Sequence, residues 1–479
     1  MARKRKSKRS KRRGSDLAAI VLAAGQGTRM KSRTAKVLHP LCGRPLAYFP
    51  VAAATGVGAR PVVVVVGHQA AAVEAALSSA LPEAPLCFAL QAEPRGTGDA
   101  VAAGLGALEG APAQRILILN GDLPLLTVAT LRRLLRAGRE APLALLTARP
   151  PSPKGYGRIV RDGRGQVISI VEEADADAKT RRIEEVNAGV YLVERALLER
   201  ALGGLEADNA QGELYLTDLV AIARRLGQAV VGVPVPEWSE VAGVNDRAEL
   251  AEAAAALRRR IVEAWLRRGV SFEDPGRTYV DVGVRLGRDT LVAPGVHLCG
   301  ETRIGASVRI GTGAVLRDVE VGAEAVIEPY SVLEGAVVGR GARVGPFARL
   351  RPGTRLGPEA RIGNFVETKK AHLGKGAKAN HLTYLGDATV GPGCNIGAGT
   401  ITCNYDGREK HPTVLESDVF IGSNTALVAP VRVGRGALVG AGSVIVRDVP
   451  ADALAIARAP QRTVAGWARR FSPHRKKRR

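Results

Sequence analysis

The residues best suited to chemistry lie between Arg351 and Tyr384, a stretch that includes Arg351, Glu367, Lys369, Lys370, His381 and Tyr384. Arg351 and Lys369 could clamp a phosphate, because guanidinium and ammonium groups both bind phosphate oxygens. His381 could act as a base near neutral pH, with a carboxylate such as Glu367 nearby. These residue types together predict a base beside a phosphate clamp.

A second candidate site is a glycine loop that follows the first apolar run of the chain. Gly25 and Gly27 would let backbone N–H groups approach a chain of phosphates closely, and Arg29 and Lys36 would supply positive charge. The spacing matches neither the dinucleotide-binding fingerprint nor the P-loop. Taken alone the loop could be a simple turn with solvated bases, and its position directly after a strand favours phosphate binding.

Two oxygen-bearing side chains indicate a magnesium ion. Asp122 ends an aliphatic run that we predict to be a strand. Ligands of α/β proteins bind at the carboxyl ends of parallel strands, and a hard oxygen donor there suits Mg²⁺ that bridges phosphates. Asn245 could be a second, neutral ligand. The alternative is that Asp122 only caps the following turn.

Residues 16–245 alternate short aliphatic runs with helical patterns, which is typical of an α/β domain with a parallel sheet. Continuous β-branched runs, such as the five valines at 62–66, fit strands that helices cover on both faces. The predicted strands are 18–22, 61–66, 116–119, 143–147 and 190–192, and the predicted helices include 131–137 and 218–226.

Residues 246–268 have apolar residues every three or four positions from Leu250 to Trp265, which predicts a helix. Asp246 could cap its start and Gly269 its end. At 1.5 Å per residue this helix would be roughly 34 Å long. We expect it to be an arm that links two bodies.

From residue 286 onward, aliphatic residues recur every six positions, with a few slips, and many of them precede a glycine. This period fits neither a helix nor an ordinary strand and is typical of a β-helix, in which each aliphatic stacks on the one a coil away. The polar segment 403–418 interrupts the pattern and is predicted to be a loop outside the solenoid. The aliphatic positions are Leu286, Val292, Leu298, Ile304, Ile310, Leu316, Val321, Ile327, Leu333, Val338, Val344, Leu350, Leu356, Ile362, Val390, Ile396, Ile421, Leu427, Val433, Val439 and Ile445.

Composition excludes several classes of protein. The chain has 479 residues, of which 46% are hydrophobic, so it can bury a sizeable core and is not disordered overall. It contains no run of about 18 apolar residues, which argues against a transmembrane helix. Its five cysteines are scattered without Cys-x-x-Cys spacing, which disfavours a disulfide framework or zinc site and suits a reducing cytosol.

The net charge of +23 is concentrated at the two ends, because residues 1–13 carry nine Lys or Arg and residues 469–479 carry seven. We expect the basic tails, 1–15 and 469–479, to be disordered. They would be solvated extensions or would attract polyanions weakly, with no specific nucleic acid as partner. The apolar run 17–24 after the first tail could be a secretory signal, but Asp16 before it and the glycine loop after it favour a buried strand.

The motifs of both halves, taken together over essentially residues 16–467, resemble those of the bifunctional N-acetylglucosamine-1-phosphate uridylyltransferase / glucosamine-1-phosphate N-acetyltransferase family. The resemblance implies an α/β Rossmann-like nucleotidylyltransferase domain (16–247), a helical linker arm (248–268) and a left-handed parallel β-helix built on hexapeptide repeats (269–468). The matching segments are LAAGQGTRM (22–30), KVLH (36–39), QAEPRGTG (91–98), LNGD (119–122), GYGRI (155–159), NFVETKK (364–370), HLTYLGD (381–387), NIGAGTITCNYDG (395–407) and GW (466–467).

The resemblance implies two reactions. In the β-helix, glucosamine 1-phosphate would take an acetyl group from acetyl-CoA. In the first domain, N-acetylglucosamine 1-phosphate would attack the α-phosphate of UTP with Mg²⁺ present, releasing pyrophosphate and giving UDP-N-acetylglucosamine for peptidoglycan and lipopolysaccharide precursors. Such a transfer depends on positioning and charge neutralisation and needs no protein nucleophile. The family resemblance also implies a cytoplasmic homotrimer.

The resemblance assigns roles residue by residue. His381 would remove the amine proton, Arg351 and Lys369 would hold the sugar phosphate, and Tyr384 and Asn395 would hold the sugar. The implied coenzyme A residues are Ala398, Asn404, Tyr405, Ser423, Ala441 and Arg458. The implied ligands of nucleotide and sugar in the first domain are Leu22, Ala23, Ala24, Gly25, Lys36, Gln91, Gly96, Thr97, Asn120, Gly121, Asp122, Gly157, Glu172, Asn187 and Asn245, of which Asp122 and Asn245 would also hold the metal.

Three positions depart from the family pattern: Ala35 replaces a proline, Asn120 a tyrosine and Ala188 a threonine. Only the change at Asn120 puts a side-chain contact in doubt. The closest alternative is a single-activity sugar-1-phosphate nucleotidylyltransferase with a regulatory β-helix. The charged residues around His381 and the Asn404–Tyr405 pair disfavour it.

Overall fold

The computed structural model describes residues 16–471, without the side chain of Phe471. The predicted basic tails therefore lie outside the described residues, apart from 469–471, which end a 3-10 turn, Trp467–Phe471. The chain divides into two compact units between Arg260 and Ile261, inside the predicted linker. Among residues 16–471, no helix combines the length and the hydropathy that crossing a membrane requires. None of the five cysteines, all of them described, forms a disulfide.

The first unit is built on one mixed sheet. Its described strands are β1 Leu17–Leu22, β2 Val62–Val66, β3 Leu86–Leu90, β4 Arg115–Asn120, β5 Leu143–Ala148, β6 Arg158–Arg161, β7 Val167–Val171, β8 Val186–Glu194 and β9 Val230–Pro234. Their order is β9-β5-β8-β4-β1-β2-β3, and the β6–β7 hairpin joins the sheet through β8. A separate ribbon is formed by Pro40–Leu41 and Arg44–Pro45.

Helices cover both faces of this sheet, as the aliphatic runs predict. Alternate residues of β1 belong to different cores, since Ala19 and Val21 pack on one side while Ala18 and Ile20 pack on the other. The helices are α1 Tyr48–Gly56, α2 Ala70–Ala80, α3 Thr97–Gly106, α4 Val128–Ala137, α5 Arg195–Leu202, α6 Asp218–Arg225 and α7 Arg247–Leu266.

The predicted α/β fold and all five predicted strands of the first unit are confirmed, but the expectation of a purely parallel sheet is wrong. Strand β8 runs antiparallel to both of its neighbours, β4 and β5. Strand β3 was not predicted, although its sequence, LCFAL, is apolar; it lies at the edge of the sheet, where only Ala89 is buried.

Helix α7 occupies the predicted segment but is shorter than expected. The Oδ1 atom of Asp246 accepts hydrogen bonds from two backbone N–H groups of its first turn, and Gly269, with φ +86°, follows its end. Arg260 donates to the carbonyl of Leu125 in the first unit, whereas Trp265 packs in the core of the second unit. The helix therefore belongs in part to each unit.

The second unit is a β-helix with three parallel sheets, whose described strands form its three faces. The first face contains Ser271–Phe272, Leu291–Val292, Arg309–Ile310, Val326–Ile327, Arg343–Val344, Arg361–Asn364, Lys378–His381, Asn395–Ile396, Phe420–Ile421, Leu438–Val439 and Leu454–Ala455. The second contains Tyr279–Val280, His297–Cys299, Val315–Arg317, Val332–Glu334, Arg349–Leu350, Glu367–Lys369, Tyr384–Gly386, Ile401–Cys403, Ala426–Val428 and Val444–Ile445. The third contains Arg285–Leu286, Arg303–Ile304, Glu320–Val321, Val337–Val338, Arg355–Leu356, His372–Leu373, Ala388–Val390, Thr413–Leu415 and Val431–Val433.

The six-residue period creates this fold because every predicted aliphatic position points into the solenoid and is buried. In the early coils Val292 lies beside Ile310, eighteen positions on, and after one slip Ile304 lies beside Val321, seventeen positions on. These observations confirm the hexapeptide β-helix.

The predicted external loop, 403–418, is too long. Cys403 ends a strand of the second face and Thr413–Leu415 is a strand of the third face, so only residues 404–412 leave the coil. Thr413 and Leu415 are buried, because this strand pairs with Ala388–Val390 despite the inserted loop.

Candidate functional site

Two adjoining cavities of about 330 and 290 Å³ open where β1 and β4 end, and both are lined by Leu22, Thr97, Asn120 and Asp122. All but one of the residues predicted to bind nucleotide or sugar line one or both. The exception, Gly121, has a different function: a Cβ there would lie 2.6 Å from the carbonyl oxygen of Leu22, so only glycine allows this close approach. The larger cavity also takes Ala23, Ala24, Gly25, Lys36, Gln91 and Gly96, and the smaller also takes Gly157, Glu172, Asn187 and Asn245.

The larger cavity has features of a phosphate site. Gly27 has φ +64° and lies against the Lys36 side chain, where a Cβ would come within 2.5 Å of the Lys36 Cβ. Gln91 donates to the carboxylate of Asp99 at 2.9 Å and to the carbonyl of Gly96 at 3.1 Å. Because helix α3 begins at Thr97, its N-terminal end, which attracts anions, lies at this cavity.

A network of charged and polar groups lies where the cavities meet. The Nζ atom of Lys36 lies 2.5 Å from Oδ2 of Asp122 and 3.3 Å from Oδ1 of Asn245, and Arg29 donates to the same Asn245 oxygen at 2.9 Å. The structure therefore brings together both predicted metal ligands and both predicted cations of the glycine loop. Within residues 16–471, no group of three or more His, Cys, Asp and Glu side chains could hold a metal ion. One carboxylate and one amide oxygen fit Mg²⁺ that takes its other ligands from phosphates and water.

The smaller cavity is more enclosed by protein groups. Burial, together with the nearby charges of Asp175 and Asp218, raises the pKa of Glu172. Asn187 donates from Nδ2 to the hydroxyl of Tyr191 at 2.6 Å, and its Oδ1 accepts from the N–H of Gly189 at 3.0 Å. Such fixed donors and acceptors suit a ligand with hydroxyl and amide groups.

The three departures from the family pattern are accommodated. The N–H of Ala35, which a proline would lack, donates to Oε1 of Gln69 at 3.0 Å. The side-chain amide of Asn120 lies against Gly189, where any Cβ would overlap it. Ala188 is buried and lines the smaller cavity.

Sequence reasoning missed several residues of the smaller cavity. Tyr156 lies inside a matching segment, GYGRI, which could have indicated it. No spacing rule identifies the others, because they arrive from separate elements. The missed lining residues include Lys154, Tyr156, Tyr191, Thr217 and Glu249.

In the second unit, the predicted acetyl-transfer residues follow one corner of the solenoid. His381, Ala398, Ser423 and Ala441 each lie two positions after mutually paired residues of successive first-face strands, so they form one column, the corner column. Arg458 reaches the same column, since its Nη1 donates to the carbonyl of Ala441. Small residues therefore follow His381 along the corner for three coils.

His381 has a different partner from the one expected. Its Nδ1 lies 2.8 Å from Oδ1 of Asn364, one coil below. An amide oxygen only accepts, so Nδ1 carries the proton and the neutral ring has its acceptor at Nε2. The carboxylate predicted near His381, Glu367, instead pairs with Arg351 at 3.0 Å. The group in contact with Nδ1 is therefore an amide, while the Glu367 carboxylate is held by Arg351.

The predicted phosphate clamp contains a cation that sequence reasoning did not single out. The pKa of Lys369 is lowered chiefly by Lys410, with a smaller contribution from Arg351. Lys410 lies in the 404–412 loop and pairs antiparallel with Tyr405. The loop thus brings a third positive charge to Arg351 and Lys369, although about 40 positions separate Lys410 from Lys369.

The other predicted residues lie on two faces of the solenoid and in the 404–412 loop. Asn404 donates to Oδ2 of Asp387 at 2.6 Å, whereas Tyr405 is 60% exposed and donates to the carbonyl of its own loop residue Gly407. Tyr384 lies on the second face and Asn395 on the first. Between Tyr384 and Asn404 lies Gly386, where a Cβ would come within 2.4 Å of the Tyr384 hydroxyl and 2.8 Å of the Asn404 amide.

Known families match both units. Residues 19–201 match the MobA-like NTP transferase domain, and residues 412–447 match the bacterial transferase hexapeptide (six repeats). The chain is 56% identical over 457 residues to the Bifunctional protein GlmU of Anaeromyxobacter sp. (strain Fw109-5), covering 95% of this chain and 93% of that relative. It is 52% identical to the protein of that name from Syntrophotalea carbinolica, covering 96% and 98%, and 49% identical to that from Geotalea uraniireducens, covering 94% and 98%.

Proposed function

The chain belongs to the bifunctional GlmU family, and from this membership we propose which of its residues carry each reaction. It is an enzyme with two activities, a glucosamine-1-phosphate N-acetyltransferase and an N-acetylglucosamine-1-phosphate uridylyltransferase, and acetyl-CoA is a co-substrate. The single-activity alternative does not fit, because the relatives that match both halves carry the bifunctional name.

Uridylyl transfer is assigned to the joined cavities of the first unit. The larger, with its glycine loop, Lys36 and the start of α3, binds the nucleotide phosphates. The smaller, with Gly157, Glu172 and Asn187, binds the sugar. The junction at Asp122 is where the sugar phosphate meets the α-phosphate. This assignment is supported by the fact that the two cavities share residues and together contain nearly the whole predicted set.

Magnesium is assigned to Asp122 and Asn245, whose oxygens converge on one ammonium group. The ion, when bound, supplies positive charge to the phosphates. The chain's own contribution is to bind those phosphates with Lys36, Arg29 and the backbone N–H groups of the glycine loop. No protein nucleophile is required.

Acetyl transfer is assigned to the corner column and the cation cluster beside it. Arg351, Lys369 and Lys410 hold the sugar phosphate, and Tyr384 and Asn395 hold the sugar. Coenzyme A lies along Ala398, Ser423, Ala441 and Arg458, with Asn404 and Tyr405 at its other side. Nε2 of His381 takes a proton from the amine as the nitrogen attacks the thioester carbonyl, and coenzyme A leaves as the thiol. The observation that carries this assignment is the Nδ1 contact to Asn364, which leaves Nε2 as the acceptor.

The assembly is assigned as a homotrimer packed along the β-helix. Tyr330, Phe347 and Phe365 stack in an aromatic ladder at the corner below His381, with ring centroids 5.4 and 5.6 Å apart. Leu382 continues the ladder, and all four side chains are about half exposed or more. An apolar strip of this kind next to a catalytic residue supports contact between copies of the chain.

The function is tested on the full-length enzyme with glucosamine 1-phosphate, acetyl-CoA and UTP. Consumption of acetyl-CoA should precede release of pyrophosphate, and omission of acetyl-CoA should stop both. N-Acetylglucosamine 1-phosphate should restore pyrophosphate release without acetyl-CoA. Release from glucosamine 1-phosphate without prior acetylation would contradict the order.

The basic ends carry a separate proposal, which rests on the sequence. Sixteen of the Lys and Arg residues lie in 1–13 and 469–479, and weak attraction to polyanions would follow from that density. Retention on a polyanion column should fall steeply with salt and should disappear when both segments are deleted. Salt-insensitive retention of the remaining chain would contradict it.

A further inference from the structure

Asn187 and Tyr191 hydrogen-bond to each other although they lie four positions apart on one strand. In a regular strand these positions would be about 13 Å apart at ~3.3 Å per residue. In β8, Asn187 pairs with Thr147 and Tyr191 with Leu145, so residues 188–190 of β8 stand opposite the single residue Leu146 of β5. Gly189, with φ +68°, allows this bulge. The bulge brings Nδ2 of Asn187 within 2.6 Å of the Tyr191 hydroxyl.

The bulge holds the Asn187 carboxamide at both ends. Its Oδ1 accepts from the N–H of Gly189, which can only donate, and its Nδ2 donates to the Tyr191 hydroxyl, so Gly189 sets which end is the oxygen and Tyr191 holds the other end in place. One N–H and one lone pair are left over. Since Asn187 lines the smaller cavity, these are the groups that it can offer to a ligand.

Packing alone does not explain why residue 191 is a tyrosine. Its side chain is only 2% exposed, and phenylalanine would fill the same space. A buried hydroxyl costs free energy unless it is hydrogen-bonded, and Asn187 supplies that bond. Burial, together with the nearby charge of Glu172 in the same cavity, raises the pKa of Tyr191, so the hydroxyl stays protonated.

We propose that Tyr191 is a positioning residue for uridylyl transfer, which sets the affinity for N-acetylglucosamine 1-phosphate by fixing the orientation of the Asn187 carboxamide. This inference rests on the proposed role of Asn187 in binding the sugar. Although Tyr191 also lines the smaller cavity, it is almost fully buried, and in this proposal it acts through Asn187 and not on the sugar itself. Removal of the Tyr191 hydroxyl should therefore weaken binding of N-acetylglucosamine 1-phosphate and leave binding of the nucleotide unchanged.

The test is a double-mutant cycle in the full-length enzyme with Tyr191→Phe, Asn187→Ala and the two combined. Tyr191→Phe should raise the KM for N-acetylglucosamine 1-phosphate roughly 3- to 10-fold, as expected for loss of one buried hydrogen bond, with kcat and the KM for UTP nearly unchanged. Asn187→Ala should raise the same KM. In the Asn187→Ala background, Tyr191→Phe should have no further effect.

The controls separate positioning from general damage. Tyr48→Phe removes a hydroxyl from α1, outside both cavities, and should leave all constants unchanged. Acetyl transfer by each variant reports that the rest of the chain is intact, and the thermal midpoint reports the folding of the first unit.

Each outcome of the double-mutant cycle either supports or overturns the proposal. If Asn187→Ala leaves the KM for the sugar phosphate unchanged, the proposed role of Asn187 is wrong and the inference with it. If Asn187→Ala raises it and Tyr191→Phe does not, only the inference is wrong. Additive effects would mean that Tyr191 contacts the sugar directly, and equal changes in the KM for both substrates would mean a structural role. Either result would overturn the proposal.

Discussion

Lys36 and Asp122 form a contact of 2.5 Å between Nζ and Oδ2, at the point where the two cavities of the first unit meet. Both side chains are more than four-fifths buried. Removing either one would leave an uncompensated charge in a half-closed space, which is costly. The glycine loop and the carboxylate that ends β4 therefore act as one site, although 86 positions separate the two residues.

Asp122→Ala should abolish uridylyl transfer and spare acetyl transfer, because it removes the proposed metal ligand and strands the charge of Lys36. Pyrophosphate release and acetyl-CoA consumption, measured on the same preparation, check this. The matched control is Asp208→Ala, an exposed carboxylate of the first unit that lines neither cavity. Loss of both activities in a folded Asp122→Ala protein would contradict the separation of the sites.

His381→Ala should lower the rate of acetyl transfer by roughly 10²- to 10⁴-fold, the contribution of a general base, and leave uridylyl transfer intact. Asn364→Ala should lower the same rate less, since it removes the tautomer-fixing contact and keeps the base. A normal rate and an unchanged pH profile for His381→Ala would show that the histidine is structural.

Gly386→Ala should cripple acetyl transfer while the β-helix remains folded. The new methyl group would overlap the Tyr384 hydroxyl and the Asn404 amide, two residues assigned to substrates. Gly376→Ala is not a suitable control, because φ of Gly376 is +67° and a side chain there would strain the backbone. Gly363→Ala is not suitable either, because its Cβ would collide with the backbone of Asn380. Gly106→Ala, at an open position with ordinary φ in α3, tests the substitution itself. A fully active Gly386→Ala enzyme would argue against the assigned positions of Tyr384 and Asn404.

The affinity for glucosamine 1-phosphate should begin to fall at a lower pH than it would if Lys369 had the pKa of an ordinary lysine. Lys410 and Arg351 lower the pKa of Lys369, so Lys369 loses its charge at a lower pH than a lone lysine and the phosphate loses a partner. Lys410→Gln removes the largest cause, raises that pKa, and should move the alkaline rise in KM to higher pH. It should also raise KM at neutral pH, since one cation is lost.

The control for this prediction is Lys375→Gln, which removes the same charge at another corner of the solenoid. It should leave the pH profile of KM unchanged. If Lys410→Gln moved the alkaline rise in KM to lower pH, or did not move it, the assignment of Lys410 to the cation cluster would be wrong.

Phe365→Asp should dissociate the assembly. The ring is 57% exposed and stacks on Phe347, so a carboxylate there would break the aromatic ladder without disturbing the buried core. Light scattering should report a smaller species that has lost acetyl transfer and kept uridylyl transfer. Leu90→Asp, an equally exposed apolar residue of β3, should leave the oligomeric state unchanged. A monomeric Phe365→Asp protein with full acetyl transfer would show that the site does not need a second copy.

Much of this molecule could be predicted from local sequence. A six-residue aliphatic period admits one kind of solution, a solenoid in which each aliphatic covers the next, and so every such residue from Leu286 to Ile445 is buried. Runs of valine and leucine similarly indicate strands covered on both faces. Nearly all of the residues predicted to bind nucleotide or sugar line the joined cavities, because the family motifs are contiguous segments, whereas several further lining residues were not predicted.

Contacts between segments were decided only by the tertiary structure. His381 meets Asn364 and not Glu367 because the lateral register of the coils brings position 364 beside position 381. Lys410 reaches Lys369 because the path of a nine-residue loop, 404–412, returns it to the clamp. The antiparallel insertion of β8 and its bulge create the Asn187–Tyr191 pair. Local patterns determine which face of an element is buried, whereas the neighbour across that face depends on register and chain path, which long-range packing sets.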